Sequence, residues 1–317
     1  MKLWIPPSTR ALASAITVAS LALFTAGCRS VHCPPASARL MSPTNVTNNV
    51  ITHWGKSEVM VVRSKTTATN ARPVLLLHEI TGLSPACLDF AGRLAERGPF
   101  VVYLPRLFGR TNESGTWSVV RNFVRVIVGS DWRALRSGHT PSAYREMPAL
   151  VEKISAEHQG ADVGVIGMCL TGSWPLALMA EPRVKIGALC QPAVPLPTWT
   201  KKRRRDLALS ESDLSAASER IQRDGLTVLG FRFCGDNKST PERFWRVAEL
   251  CGARGRFVDG TICYHEWHGA VAADDHSVFC GQYSDATNHP TRQRLELLIK
   301  EFREALKSGP TSSGSAR

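Results

Sequence analysis

Apolar residues along the chain come in short unbroken runs, separated by stretches with helical spacing. Val74-Leu75-Leu76-Leu77 is one run and Phe100 to Leu104 another. Runs of this length suit strands covered on both faces. Val163–Ile166, Ile186–Leu189 and Leu226–Phe233 repeat the pattern, and a further strand is expected near Thr261–Tyr264. Between them, Pro85–Arg97, Met147–Ala156 and Pro241–Cys251 place apolar residues three and four apart, as does Arg292–Leu306 at the end. Gly98 and Thr240 stand where a helix C-cap and an N-cap belong. The turn after Ile166 is expected to open a helix running through Ala180. Strand and helix thus alternate, which predicts an α/β fold: a mostly parallel sheet with helices on both faces. The segment Thr111–Tyr144 fits this scheme poorly and reads as an insertion over the sheet's edge, a candidate lid.

Composition narrows the class. The chain has 317 residues, 43% hydrophobic and 21% charged. That excludes a disordered tail, a collagen and a small disulfide scaffold. Lys and Arg outnumber Asp and Glu by 39 to 27, a formal +12. Such a surface suits anionic partners without choosing among them. The run Lys201-Lys202-Arg203-Arg204-Arg205 has no interleaved aromatic platform, so nucleic acid is not the expected partner. It reads as a solvated face, or as one that leans on anionic lipid headgroups.

The N-terminus adds a location. Lys2 and Arg10 precede an uncharged, almost wholly apolar or small stretch, residues 11–26, followed by Gly27-Cys28. A basic start, an apolar centre and small residues at its end are the pattern of a secretory signal. Cys28 after Ala-Gly resembles the lipobox of bacterial lipoproteins, with Thr25 where Leu is usual. The expectation is a signal over 1–27 and lipidation of Cys28. A linker over 28–55, one domain over 56–307 and a disordered tail over 308–317 would follow. The protein would then sit in the bacterial cell envelope, anchored through Cys28 or free in the periplasm. An uncleaved anchor helix is the alternative. Export would allow disulfides among the nine Cys, in a pairing that spacing does not settle.

The chemistry concentrates at Gly167-Met168-Cys169-Leu170-Thr171-Gly172, between a strand and a helix. A Gly-x-nucleophile turn there exposes one side chain at the strand's carboxyl end, close to free helix N–H groups. Here the position holds Cys, and no Gly-x-Ser-x-Gly occurs in the chain. A structural cysteine is the alternative. In this type of site an acid and a histidine follow in that order. Asp236 follows the strand Leu226–Phe233, and His276 lies in the loop before the last helix. His265, His268 and His289 are rival bases. Glu79 lies in the loop after the first apolar strand, where a second oxyanion N–H is supplied in such folds. Cys263, His265 and His268 could suggest a metal, but no Cys-x-x-Cys accompanies them, so neither metal nor cofactor is expected.

With these residues in hand, the chain resembles the dienelactone hydrolase family, a cysteine-nucleophile branch of the α/β-hydrolases. The resemblance rests on His78-Glu79-Ile80-Thr81-Gly82-Leu83, Leu104 to Arg110, the Gly167–Gly172 turn, Gly235-Asp236 and His276 to Phe279. It implies an α/β-hydrolase fold and a carboxylic ester hydrolase acting on a small ester or lactone. Cys169 would be the nucleophile, His276 the base and Asp236 its orienting acid. Ile80 and Leu170 would supply the oxyanion N–H groups, and Glu79 would control the thiol's proton. Arg110, with Arg106 nearby, would bind a substrate carboxylate. Thr171 stands where the family has Gly, and Arg106 where it has Asp. A non-catalytic binding protein on the same fold, anchored at the membrane, is the alternative.

Overall fold

The computed structural model describes residues 46–54, 57–64, 71–107, 140–194, 198–263 and 275–307. Its strands are β1 (Val46–Trp54), β2 (Ser57–Ser64), β3 (Arg72–Leu77), β4 (Phe100–Pro105), β5 (Val163–Met168), β6 (Val184–Cys190), β7 (Thr227–Phe231) and β8 (Arg256–Asp259). They form one sheet in the order β1-β2-β4-β3-β5-β6-β7-β8. β1 and β2 pair antiparallel, as do β2 and β4, and every pairing from β4 to β8 is parallel. The doubly covered α/β sheet expected from the alternating pattern is therefore the fold.

The apolar runs explain the layers. Along β3, Val74 and Leu76 face one core while Leu75 and Leu77 face the other. That is the period of two that a fully buried strand imposes. Helices α1 (Pro85–Arg97) and α7 (Pro290–Ala305) cover the first face, through Phe90, Leu94, Leu298 and Phe302. Helices α2 (Met147–Glu157), α3 (Trp174–Leu178), α5 (Glu211–Asp224) and α6 (Pro241–Cys251) cover the second. A one-turn helix, α4 (Lys201–Arg205), packs on α6.

Three expectations need correction. The segment 28–55, read as a linker, holds β1 from Val46 onward. Its Asn pair hides the strand signal, and the pairing register shifts between Asn48 and Val50. The helix expected through Ala180 stops at Leu178. Pro182 blocks its continuation, and Arg220 donates to the carbonyls of Met179, Glu181, Pro182 and Val184 instead. The strand expected near Thr261–Tyr264 contributes only a bridge from Ile262 to Phe233. The true edge strand is β8, and Asp259 breaks the ladder after it by accepting the Thr261 N–H at 2.8 Å. Of Thr111–Tyr144, only residues 140–144 are described, and they lead into the turn Ser142–Glu146 before α2. Residues 1–27, read as a signal, Cys28 and the segment 308–317 lie outside the described residues. Among the described residues, no helix is long and apolar enough to cross a membrane.

One contact matters most for the position of the chemistry. Phe279 is fully buried, stacked on Phe90 with centroids 5.1 Å apart and edge-on to Phe231 at 5.1 Å. Arg93 of α1 donates to the Phe279 carbonyl at 2.9 Å. These contacts clamp the loop that carries His276 between α1 and β7. Phe279→Ala should therefore cost about 3–5 kcal/mol. Chemical denaturation checks this, and a loss below about 1 kcal/mol would show that the ring does not hold the loop.

Candidate active site

The turn after β5 is forced into its shape by small residues. Cys169 has φ 55°, in the left-handed region that β-carbon-bearing residues avoid. A Cβ at Gly167 would lie 2.3 Å from the Thr171 carbonyl oxygen, and one at Gly172 would lie 2.6 Å from Pro192 Cα. Only glycine lets the chain fold back this closely. Thr171 locks the turn: its hydroxyl accepts the Met168 N–H at 3.1 Å and reaches the Leu77 carbonyl at 3.0 Å. Its side chain is fully buried against the end of β3, so it braces the turn. Cys169 is 3% exposed.

Asp236 and His276 converge. His276 Nδ1 donates to Asp236 Oδ2 at 2.6 Å. The other oxygen, Oδ1, accepts the N–H groups of Lys238 at 2.9 Å and Ser239 at 3.2 Å. Burial alone would raise the Asp236 pKa, but the His276 charge and these hydrogen bonds hold it below the ordinary range. Burial likewise pulls His276 down. The Asp236 charge and the nearby Cys169 sulfur outweigh it and raise the imidazole well above its usual value. Nε2 of His276 is buried, with no hydrogen-bond partner among the described residues. The ring is thus anchored through Nδ1 and presents Nε2 on the Cys169 side.

Glu79 is 8% exposed, and Oε1 accepts from Gln191 Nε2 at 2.9 Å and from Ser277 Oγ at 2.5 Å. Gln191 follows β6 at φ 35° and also accepts the Val278 N–H at 3.4 Å. The carboxylate is therefore tied to the residues directly after His276. Ile80 and Leu170, 4% and 7% exposed, lie in the loop after β3 and the turn after β5. Those two segments are joined through the Thr171 hydroxyl. Arg106 is exposed and ion-paired to Glu58. Arg110, His265 and His268 lie outside the described residues. His289 caps α7 and accepts the Thr291 N–H at 3.3 Å, away from this cluster. No group of three metal-ligating side chains gathers among the described residues.

Residues 58–201 match the model of the dienelactone hydrolase family. The resemblance carried by the motifs is borne out over that span. It includes Glu79 and Cys169 and ends before Asp236 and His276, which the fold supplies. A search of curated proteins returns no match. Among solved structures, a thermostable esterase from Pseudomonas putida shares 14% identity at a TM-score of 0.55, covering 92% of this chain and 91% of that one. A dienelactone hydrolase from Anabaena variabilis shares 12% at 0.52, covering 83% of this chain and 99% of that one. At such identities these likenesses establish the α/β-hydrolase fold and nothing finer.

Sequence reasoning gave no role to Gln191, Ser277 or His78. Gln191 carried a usable signal, since it sits at the carboxyl end of a central strand, on the rim where such sites gather. His78 is fully buried; its Nδ1 lies 2.8 Å from the Glu79 carbonyl, and its Nε2 accepts the Leu107 N–H at 3.1 Å. That pattern assigns a neutral ring with the proton on Nδ1. Burial lowers its pKa to about 4, against a smaller opposing effect of the Glu79 carbonyl. The unfolded chain takes up this proton below about pH 6.5, while the folded one resists until about 4. Stability should therefore fall by about 3 kcal/mol as pH drops through this window. His276 acts oppositely: its raised pKa contributes stability at low pH that is lost as pH rises through the folded value. Denaturation midpoints of the wild type and His78→Gln across pH 4–7 check this. The variant should lose most of the acid slope, and an unchanged slope would assign it to other groups.

Proposed function

We propose that the chain is a carboxylic ester hydrolase, acting on a small ester or lactone through Cys169, His276 and Asp236. The observation that carries the reading is the His276–Asp236 pair at 2.6 Å, with the sulfur of Cys169, held at φ 55°, close enough to raise the imidazole's proton affinity. The family match and the esterase-like fold support hydrolysis of esters. In this reading the Cys169 sulfur bonds to the substrate carbonyl carbon while its proton passes to His276 Nε2. The oxyanion is held by the N–H groups of Ile80 and Leu170. His276 then gives the proton to the leaving alkoxide, and a thioester remains. Water, deprotonated by His276, attacks this acyl-enzyme, and the acid leaves as the thiol is restored. Asp236 holds the tautomer and stabilises the imidazolium. Glu79 influences the thiol's proton indirectly, through Ser277 beside His276.

Arg110 binds the carboxylate of an acidic substrate, bidentately if the planes align. Arg106, tied to Glu58, is a secondary contributor. The protein is exported to the cell envelope, and lipid on Cys28 anchors it there.

Paired acidic and neutral aryl esters test the reading on purified protein. Cys169→Ala should lower kcat by about 10⁶-fold while the protein stays folded. Arg110→Ala should lower kcat/KM about ten- to a hundredfold for the acidic ester alone. Unchanged turnover in Cys169→Ala would move the nucleophile elsewhere. Equal losses on both esters in Arg110→Ala would remove the carboxylate from the substrate. No turnover by the wild type on any ester would favour the non-catalytic binding protein.

A further inference from the structure

The basic run and the exposed tryptophans belong to none of the chemistry above, and the fold brings them together. Trp199 and Trp245 are the exposed large hydrophobic residues among those described, at 84% and 58%. Trp199 lies two residues before α4. Trp245 is on α6, three residues after Glu242 and four before Glu249. Positions three and four apart share one helix face. Glu242 and Glu249 are the partners of Arg204 and Arg205 of α4. Trp245 therefore lies on the α6 face that packs against α4, and Trp199 stands just before α4 in the chain.

The charges divide in a telling way. Arg203 pairs with Asp206 at 3.3 Å, and Arg204 and Arg205 are held by α6, so the three arginines serve the packing. Lys201 and Lys202 are exposed and have no carboxylate partner among the described residues. Two lysines flanked by two projecting indoles form an amphipathic surface, with flat rings that settle at the headgroup level and cations that meet lipid phosphate. A nucleic-acid strand would want the arginines, which are already spent.

We propose that this surface docks on an anionic phospholipid bilayer, with Trp199 and Trp245 at the interface and Lys201 and Lys202 on the headgroups. The surface borders the active-site rim. Thr198 donates to the Asn237 carbonyl at 3.3 Å, and Asn237 directly follows Asp236. Docking would thus hold the Asp236 loop close to the membrane. The inference does not depend on turnover or on Cys28.

The test uses the full chain with vesicles carrying brominated acyl chains, either zwitterionic or with anionic phosphatidylglycerol. Tryptophan emission is read, with unfolding curves as the control for folding. Quenching should be stronger on anionic vesicles, and about 1 M salt should remove that excess. Trp199→Ala with Trp245→Ala should abolish that excess. Lys201→Gln with Lys202→Gln should weaken the docking equilibrium roughly 25-fold. Equal quenching on both vesicle types, or an excess that survives the double tryptophan variant, overturns the proposal. A surface reserved for a protein partner would give the first of these results. Neither result touches the hydrolase reading, which the soluble-ester assay tests separately.

Discussion

Cys169 is held in a backbone conformation that it would not choose. A left-handed φ at a residue with a β-carbon costs on the order of 1–3 kcal/mol and persists only where the surroundings over-determine it. Here they do so from three sides. Gly167 and Gly172 let the turn close to contact distance, Thr171 bolts it to the end of β3, and parallel pairing of β5 with β3 and β6 fixes where the turn begins. The groups after β3 and β6 take their places relative to that fixed point, because both strands pair with β5.

Two buried histidines near this rim show how environment divides the labour. His78 is fully enclosed, with Nδ1 on the Glu79 carbonyl and Nε2 on the Leu107 N–H, so burial holds it neutral and it serves as a brace between the loops after β3 and β4. His276 is largely enclosed but faces Asp236, and that charge reverses the effect of burial. The first is a structural hydrogen-bonding group, while the second is suited to take up and release a proton. Phe279, Arg93 and the Glu79–Gln191–Ser277 cluster then fix the loop on which His276 rides, so the pair does not depend on one hydrogen bond for its geometry.

Much of this was legible in the residues. The apolar runs marked β3 to β7, because strands covered on both faces leave no polar alternation to confuse. The glycines around Cys169 marked the turn, and chain order marked Asp236 and His276. The edges were harder. β1 carries an Asn pair and β8 carries charged ends, since an edge strand is free to be polar on its open side. Helix α5 was readable and overlooked: Ser210 caps it by accepting the Asp213 N–H at 3.1 Å, and Gly225 closes it at φ 63°. The partners of Glu79 could not be read at all. Gln191 and Ser277 lie more than a hundred residues away in sequence, and only strand order brings them together.

The central claim is that the Cys169 sulfur forms a covalent acyl intermediate. Rapid acid quenching of the protein during turnover of a slow aryl ester, followed by peptide mass spectrometry, tests it most directly. The account predicts the mass of one acyl group on the peptide that contains Cys169, absent from Cys169→Ala and accumulating in Asp236→Asn, where deacylation is slowed. Hydrolysis that proceeds with no adduct, or with the adduct on another residue, would contradict it.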